Sequence, residues 1–232
     1  DPVPPEIFIH SRDNGYARSE FGIFERGKPP IYYLNAVNVS VLNVEFAQLS
    51  LEQFLSIRSQ RRSSSDADSP LNQASEYQQW SVKPQSKKDA WESIALDVGK
   101  KAGRPLTPGI YALSMRAPEY VRTWGGGGQI AQYQFFALTD MAITLKHSGG
   151  KALVWVTDMR TGEPVSAADI QFHNLDGKTV LSGKTDKQGF YEAAVDIKAF
   201  VSAGNDWSPE FWVTARKGDD FSALVTQYSE DS

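Results

Sequence analysis

The sequence predicts an all-β protein of two tandem antiparallel β-sandwiches, with one short helix in the first sandwich. Short apolar and β-branched runs recur along most of the 232 residues, and Gly, Pro and Asp turn signals separate them. Only one segment has helical periodicity. The runs after residue 138 are spaced for seven strands in about 90 residues, which is typical of a sandwich. We therefore predict one sandwich over 1–137 and a seven-stranded sandwich over 138–232.

The segment IYYLNAVNVSVLNVEFAQL (31–49) is β-type, but its apolar positions change parity. One set is Val37, Val39 and Val41, and the other set is Leu42, Val44 and Phe46. Because a strand with one buried face cannot hold both sets, we expect a bulge near Val41–Leu42 or a strand covered on both faces. The sequon Asn38-Val39-Ser40 falls in this strand, so we interpret it as accidental.

The helix is predicted from about 51 to 58. Ser50 and Gln53 form a capping-box pattern, and Leu51, Phe54 and Leu55 share one helical face. The Ser-rich stretch 59–76 offers almost nothing to bury, so we expect a mobile loop inserted in the first sandwich.

The remaining strands of the first sandwich are YQQWSVK, AWESIALDV and GIYALSM. The glycines of RTWGGGGQ indicate a flexible hairpin tip. This run is not a phosphate loop, because no Lys-Ser/Thr pair follows it.

In the second sandwich, MAITLK places Met141, Ile143 and Leu145 on one face. KALVWVTDM is a continuous apolar run, so we predict a central strand covered on both faces, with Trp155 in the core. ADIQF, TVLSGK, FYEAAVDI, FWVTAR and FSALVTQ are further strands. In the turn TDKQG, Asp186 can bond forward to the backbone and Gly189 can take a positive φ.

Composition narrows the function classes. The net charge is −4 and the sequence pI is near 5.5, which argues against nucleic-acid binding. The basic cluster Arg58, Arg61 and Arg62 fits a solvated loop. The absence of Cys excludes thiolate metal sites, disulfides and Cys nucleophiles from this chain. No run is apolar enough to span a membrane, and DPVPPEIF has no signal-peptide pattern. The chain has no initiator Met, so we expect a mature product or an excised fragment.

The polar residues show no catalytic pattern, and we predict no catalytic, cofactor-binding or metal site and no cofactor. His10, His147 and His173 fall in different elements without ligand spacing, and we expect His173 to face solvent. Four aspartates are placed in turns: Asp176, Asp186, Asp219 and Asp220. Asp66 and Asp68 lie in the Ser-rich loop, which is a poor metal cage. No carboxylate pair or activated Ser is indicated.

Exposed aromatic residues could form a carbohydrate platform, with core packing as the alternative. Trp212 lies in a strand, and Trp80 and Trp91 begin strands. Trp124 and Trp207, beside loops, are the expected exposed tryptophans.

One series of phrases resembles a known family. FFALTDMAITLKHSGGKALVWVTDMRTGEPVSAADIQF, TDKQGFYE and KGDDFSALVT occur in the order seen in bacterial alpha-2-macroglobulins, with TPGIYAL upstream. The resemblance covers most of 7–228 and implies tandem macroglobulin-like, immunoglobulin-like domains from the N-terminal half. Such parents trap proteases in the cell envelope, and many capture them through a Cys–Gln thioester. This chain has no Cys and no recognisable bait segment.

The resemblance therefore implies a structural role in a periplasmic protease inhibitor whose parent can be lipid-anchored. The implied partners are proteases, met through the parent, and other envelope proteins. The alternative hypothesis is a tandem binding module for carbohydrate or an envelope protein. The sequence shows no feature that favours catalysis, so we expect that the chain is not an enzyme.

Overall fold

The computed structural model describes residues 3–9, 21–60, 70–85, 87–121, 131–148, 150–174, 176–200 and 211–225. Within these residues fifteen β-strands and two α-helices confirm the all-β class. The strands are β1 (Glu6–Ile9), β2 (Phe21–Glu25), β3 (Ile31–Val37), β4 (Leu42–Leu49), β5 (Gln78–Val82), β6 (Glu92–Asp97), β7 (Gly109–Arg116), β8 (Gln132–Thr139), β9 (Met141–Ser148), β10 (Lys151–Asp158), β11 (Asp169–Asn174), β12 (Thr179–Lys184), β13 (Phe190–Ala194), β14 (Phe211–Lys217) and β15 (Asp220–Val225).

The helices are α1 (Leu51–Gln60) and α2 (Val98–Ala102), with short 3-10 helices at Pro70–Gln73 and Ile197–Phe200. The expectation of a single helix was wrong. Asp97 caps the start of α2 by accepting from the Lys100 backbone N–H at 2.9 Å, and Gly103 ends it at φ +70°. In the described part of the chain, no helix is long and apolar enough to cross a membrane.

The strands form four sheets. Sheet I has the order β1-β3-β6 and sheet II the order β2-β8-β7-β4-β5, and together they enclose the first core. Sheet III (β13-β10-β9) and sheet IV (β12-β11-β14-β15) enclose the second core. Among the described strands, β2 pairs with β8 in parallel, so the expectation of purely antiparallel pairing was wrong there.

The parity change in 31–49 has a different cause from the expected bulge or doubly covered strand. The chain leaves sheet I after Val37 and enters sheet II at Leu42, so 31–49 is two strands and not one. Of the first set only Val39 lies in the first core, whereas Leu42, Val44 and Phe46 all do. Asn38 takes φ +53° at this crossover. Its side chain donates to the Val3 carbonyl at 2.7 Å and accepts from the Asp89 N–H at 2.8 Å.

The capping box of α1 is present in full. The Ser50 N–H donates to Gln53 Oε1 at 2.9 Å, and the Gln53 N–H donates to Ser50 Oγ at 3.1 Å. The helix continues to Gln60, beyond the predicted end. Within the stretch expected to bury little, Leu71 is fully buried. Residues 61–69 of that loop and the GGGG tip lie outside the described residues.

The turn before β13 forms as predicted. Asp186 Oδ1 accepts from the backbone N–H groups of Gln188 at 2.9 Å and Phe190 at 2.8 Å. Gly189 has φ +78°. Sheets III and IV together hold seven of the described strands, β9 to β15.

Two glycines of the fold should respond to alanine with opposite signs. A Cβ at Gly183 in β12 would overlap the Tyr191 ring, whereas a Cβ at Gly99 in α2 would lie 3.6 Å from Asp97 Oδ1. We expect Gly183→Ala to lower the free energy of unfolding by about 1–3 kcal/mol. We expect Gly99→Ala to raise it by about 0.5–1 kcal/mol, because Gly is a poor helix former. Urea unfolding measures both, and equal effects would contradict the packing described.

Candidate functional site

Of the three histidines, the structure describes His147 and His173, which lie on strands of different sheets. His147 lies on β9, with its ring 5.9 Å from that of Phe211, and His10 lies outside the described residues. The expectation that His173 faces solvent was wrong, since the residue is 2% exposed. Sequence reasoning missed this because His173 lies beside Trp212 on sheet IV, and the ring that packs on Trp212 is Phe54 of α1, more than a hundred residues away in the chain.

The aspartates that were expected in turns do not all lie in turns. Asp186 lies in a turn as expected, but Asp220 is the first residue of β15 and is buried. Asp66 and Asp68 fall outside the described residues. Across the described ranges, no group of three or more His, Asp or Glu side chains could hold a metal ion. That this chain has no metal or catalytic site stays a prediction.

The tryptophans depart from expectation. Trp212 is buried in β14 as predicted, but Trp155 is 40% exposed and not in the core. β10 is central in sheet III, yet only one face of it is covered: Ala152, Val154 and Val156 point inward. Trp155 points outward and stacks on Phe190, with ring centroids 5.6 Å apart.

Of the other four tryptophans, two have positions that differ from the prediction and two are not described by the structure. Trp91 is 51% exposed. Trp80 lies in the middle of β5, half-buried against the first core. Trp124 and Trp207 lie outside the described residues.

The most specific constellation is the contact between the two sandwiches, which we call the junction. Helix α1 and the outer face of sheet II meet the outer face of sheet IV there, and the contact is apolar. Its buried residues are Ala47, Leu49, Phe54, Leu55, Ile57, Leu71, Ile110, Ala112, Tyr133, Phe135, Trp212, Phe221 and Ala223.

Phe54 lies at the centre of the junction. Its ring meets the Trp212 ring edge-on, with centroids 4.7 Å apart, and the Phe135 ring at 5.2 Å. Phe21 contacts both Phe54, at 5.4 Å, and Trp212, at 6.0 Å. These tilted and edge-on geometries are the favourable ones for aromatic pairs. Four rings from β2, α1, β8 and β14 therefore hold the two sandwiches together.

A polar seam follows the chain where it crosses between the sandwiches. The Asp140 N–H donates to Asp220 Oδ2 at 3.0 Å, and the Asp140 carbonyl accepts from the Met159 N–H at 2.7 Å. Arg26, just after β2, lies 3.8 Å from Asp140 and 3.6 Å from Asp219. These partly exposed ion pairs contribute little energy each. The backbone bonds, by contrast, fix the connection, because Asp140 is anchored on both sides.

His173 is a polar residue inside the junction. It pairs with Trp212 in register across β11 and β14, so both side chains lie on the outer face of sheet IV. Its Nε2 lies 3.1 Å from Thr214 Oγ1 and its Nδ1 lies 3.2 Å from Thr179 Oγ1. Hydroxyls can donate to one ring nitrogen and accept from the other, which suits a neutral imidazole. Burial lowers the pKa of His173 below its ordinary 6.5.

Removing the Phe54 ring should destabilise the whole molecule. We expect Phe54→Ala to cost about 3–5 kcal/mol in the free energy of unfolding, because a cavity opens between the sandwiches. The matched control is Phe190→Ala, which removes the same atoms from an exposed site and should cost about 1 kcal/mol or less. Urea unfolding measures both variants. Equal costs would mean that the junction contributes nothing beyond ordinary packing.

His173 should make stability depend on pH near neutrality. The unfolded chain binds this proton near pH 6.5, and the folded chain binds it only at lower pH. The unfolded state therefore holds more protons in this window. The contribution of His173 to the free energy of unfolding is therefore fully present above about pH 7. The free energy of unfolding decreases as the pH drops below this, by at most about 1.4 kcal/mol per pH unit. His173→Gln keeps a donor and an acceptor without titrating.

The measurement is urea unfolding at several pH values from about 5.5 to about 7.5, a range centred on the ordinary histidine pKa of about 6.5. The wild-type chain should lose stability relative to His173→Gln as pH falls. Parallel curves for the two proteins would show that His173 titrates alike in the folded and unfolded chain.

A comparison with models of known protein families gives a match in the second sandwich. Residues 138–231 match the family model of the bacterial alpha-2-macroglobulin MG3 domain. No curated protein matches the chain.

Solved structures match both sandwiches. Native alpha-2-macroglobulin from Escherichia coli spanning domains MG0-NIE-MG1 is 18% identical, with TM-score 0.65 over 96% of this chain and 64% of that chain. The piece spanning NIE-MG1 is 17% identical, with TM-score 0.65 over 96% and 97%. Trypsin-activated alpha-2-macroglobulin from E. coli is 17% identical, with TM-score 0.54 over 95% of this chain and 14% of that chain.

The domain labels differ, since the family model is named MG3 and the matching crystal structures are named NIE and MG1. At these identities the structures show the fold alone. Family model and fold nevertheless agree on macroglobulin-like β-sandwiches. The resemblance seen in the sequence is thereby confirmed: residues 138–231 match the model of a bacterial alpha-2-macroglobulin domain, and the chain has the fold of solved alpha-2-macroglobulin domains.

Proposed function

We propose that this chain is a rigid scaffold segment of a bacterial alpha-2-macroglobulin-like protease inhibitor. In this proposal, residues 1–137 and 138–232 are two macroglobulin-like domains, and the Ser-rich stretch is an insertion in the first. The segment belongs to the N-terminal half of its parent. It positions a protease trap that lies elsewhere in that parent and performs no catalysis itself.

The junction is the observation that carries the proposal. A flexible linker would let two sandwiches rotate freely, whereas here a buried aromatic cluster and a hydrogen-bonded crossover join them. A scaffold segment of a protease trap needs such a rigid junction, because a displacement at one end of the segment must be transmitted to the other end. Apolar interiors and junctions resist bending, since packed side chains have few alternative arrangements.

The comparisons support the protease link only through a relative. One matching E. coli alpha-2-macroglobulin is described as trypsin-activated, and this chain covers 14% of it. We therefore assign the protease partners to the parent and not to this segment alone. The proposal also includes a periplasmic location, contacts with other envelope proteins and a lipid anchor on the parent.

The experiment compares the isolated chain with its full-length parent. The isolated chain, in tenfold excess over trypsin, should leave hydrolysis of a protein substrate unchanged, while the parent should slow it. Phe54→Ala in the parent should weaken inhibition, whereas Phe190→Ala should not. Stoichiometric inhibition by the isolated chain would overturn the scaffold role.

One observation favours the alternative of a carbohydrate-binding module. Trp155 and Phe190 form an exposed aromatic pair on sheet III, and aromatic faces can stack on sugar rings. A glycan array probed with the isolated chain separates the two proposals. Specific binding that is lost in Trp155→Ala would favour the module, and no binding would leave the scaffold proposal in place.

A further inference from the structure

The first sandwich covers only part of the outer face of sheet IV. At one end of the sheet, His173, Trp212 and Ala223 are buried in the junction. At the other end, Asp169 and Arg216 are exposed. A cleft of about 460 Å³ lies at this boundary, lined by Leu51 from α1 and by residues of all four strands of sheet IV. Its volume is in the range of small-ligand sites.

The floor of the cleft carries one uncompensated positive charge. Lys184, Asp169 and Arg216 face each other in register across β12, β11 and β14. Lys184 Nζ pairs with Asp169 Oδ1 at 2.5 Å. The Arg216 guanidinium lies over the Phe221 ring, 5.3 Å from its centroid. Arg216 makes no ion pair with any described carboxylate, so two cations face one anion.

The neighbouring groups are suited to a peptide. Gln171 and Ser182 line the cleft beside the charged row and offer hydrogen-bond donors and acceptors. Thr214 also lines the cleft, but its hydroxyl is already bonded to His173. Leu51 and Phe221 add apolar walls on opposite sides of the junction. A doubly charged phosphate would be repelled by Asp169, whereas a single carboxylate balances the excess charge. The backbone amides of a peptide also form hydrogen bonds with these uncharged polar groups.

We propose that this cleft binds a short acidic peptide segment of a partner protein, with a carboxylate of the peptide paired to Arg216. Arginine can hold a carboxylate through two parallel hydrogen bonds, and stacking on Phe221 orients the guanidinium in advance. Because the cleft includes Leu51 of the first sandwich, the bound segment contacts both sandwiches and stabilises their junction. The proposal does not depend on the scaffold role.

The test is an NMR titration of the whole chain with two peptides, Ac-Ala-Leu-Glu-Ala-NH2 and Ac-Ala-Leu-Gln-Ala-NH2. The Glu peptide should bind with a Kd at least tenfold lower and should shift resonances of Gln171 and Thr214. Arg216→Gln should abolish the difference between the peptides. The control is Lys217→Gln, which removes the same charge one residue along β14, where Lys217 Nζ donates to the Ser166 carbonyl at 2.7 Å instead of facing the cleft.

The control variant should keep the tenfold preference, and both variants should keep the unfolding midpoint, because both side chains are exposed. Equal affinity for the two peptides would overturn the proposal. So would an equal loss in Lys217→Gln, which would indicate attraction by net charge alone. Tighter binding of inorganic phosphate than of the Glu peptide would reassign the cleft to free anions and would also overturn it.

Discussion

The burial of Phe54 against Trp212 is the constraint on which the rest of the structure depends. A β-sandwich normally leaves one face of each sheet to solvent. Here sheet II is apolar on both faces: Tyr111 points into the first core, while its neighbours Ile110 and Ala112 point into the junction. Such a sheet needs a cover. Helix α1, held at its start by the Ser50–Gln53 capping box, and sheet IV together supply it.

This cover accounts for the polar residues that are buried there. His173 lies in the junction because its strand position places it beside Trp212, and two threonine hydroxyls meet its ring nitrogens. Asp220 is buried at the crossover, where its carboxylate accepts the N–H groups of Asp140 and Phe221. Buried polar groups require such partners, because an unmade hydrogen bond costs more than a formed one gains. The partners come from both sides of the crossover, so they also fix its geometry.

The same geometry separates two kinds of surface. Where α1 lies over sheet IV the face is sealed, and where α1 begins, at Leu51, the sealed contact gives way to the charged row of Lys184, Asp169 and Arg216. The outer face of sheet III, with Trp155 and Phe190, meets no other described element in this way. The chain thus presents distinct faces, and each is set by which sheet receives a neighbour.

Local patterns in the sequence determined the strands, the capping box of α1 and the Asp186–Gly189 turn, because those features depend on residues within a few positions of one another. They also determined the family resemblance. The tertiary structure alone decided that the chain changes sheet at Asn38, that Trp155 is exposed and that His173 is buried. Periodicity reports which residues share a face, whereas the element that covers a face comes from distant parts of the chain. For Trp212 that element is α1, and no residue near Trp212 in the sequence indicates it.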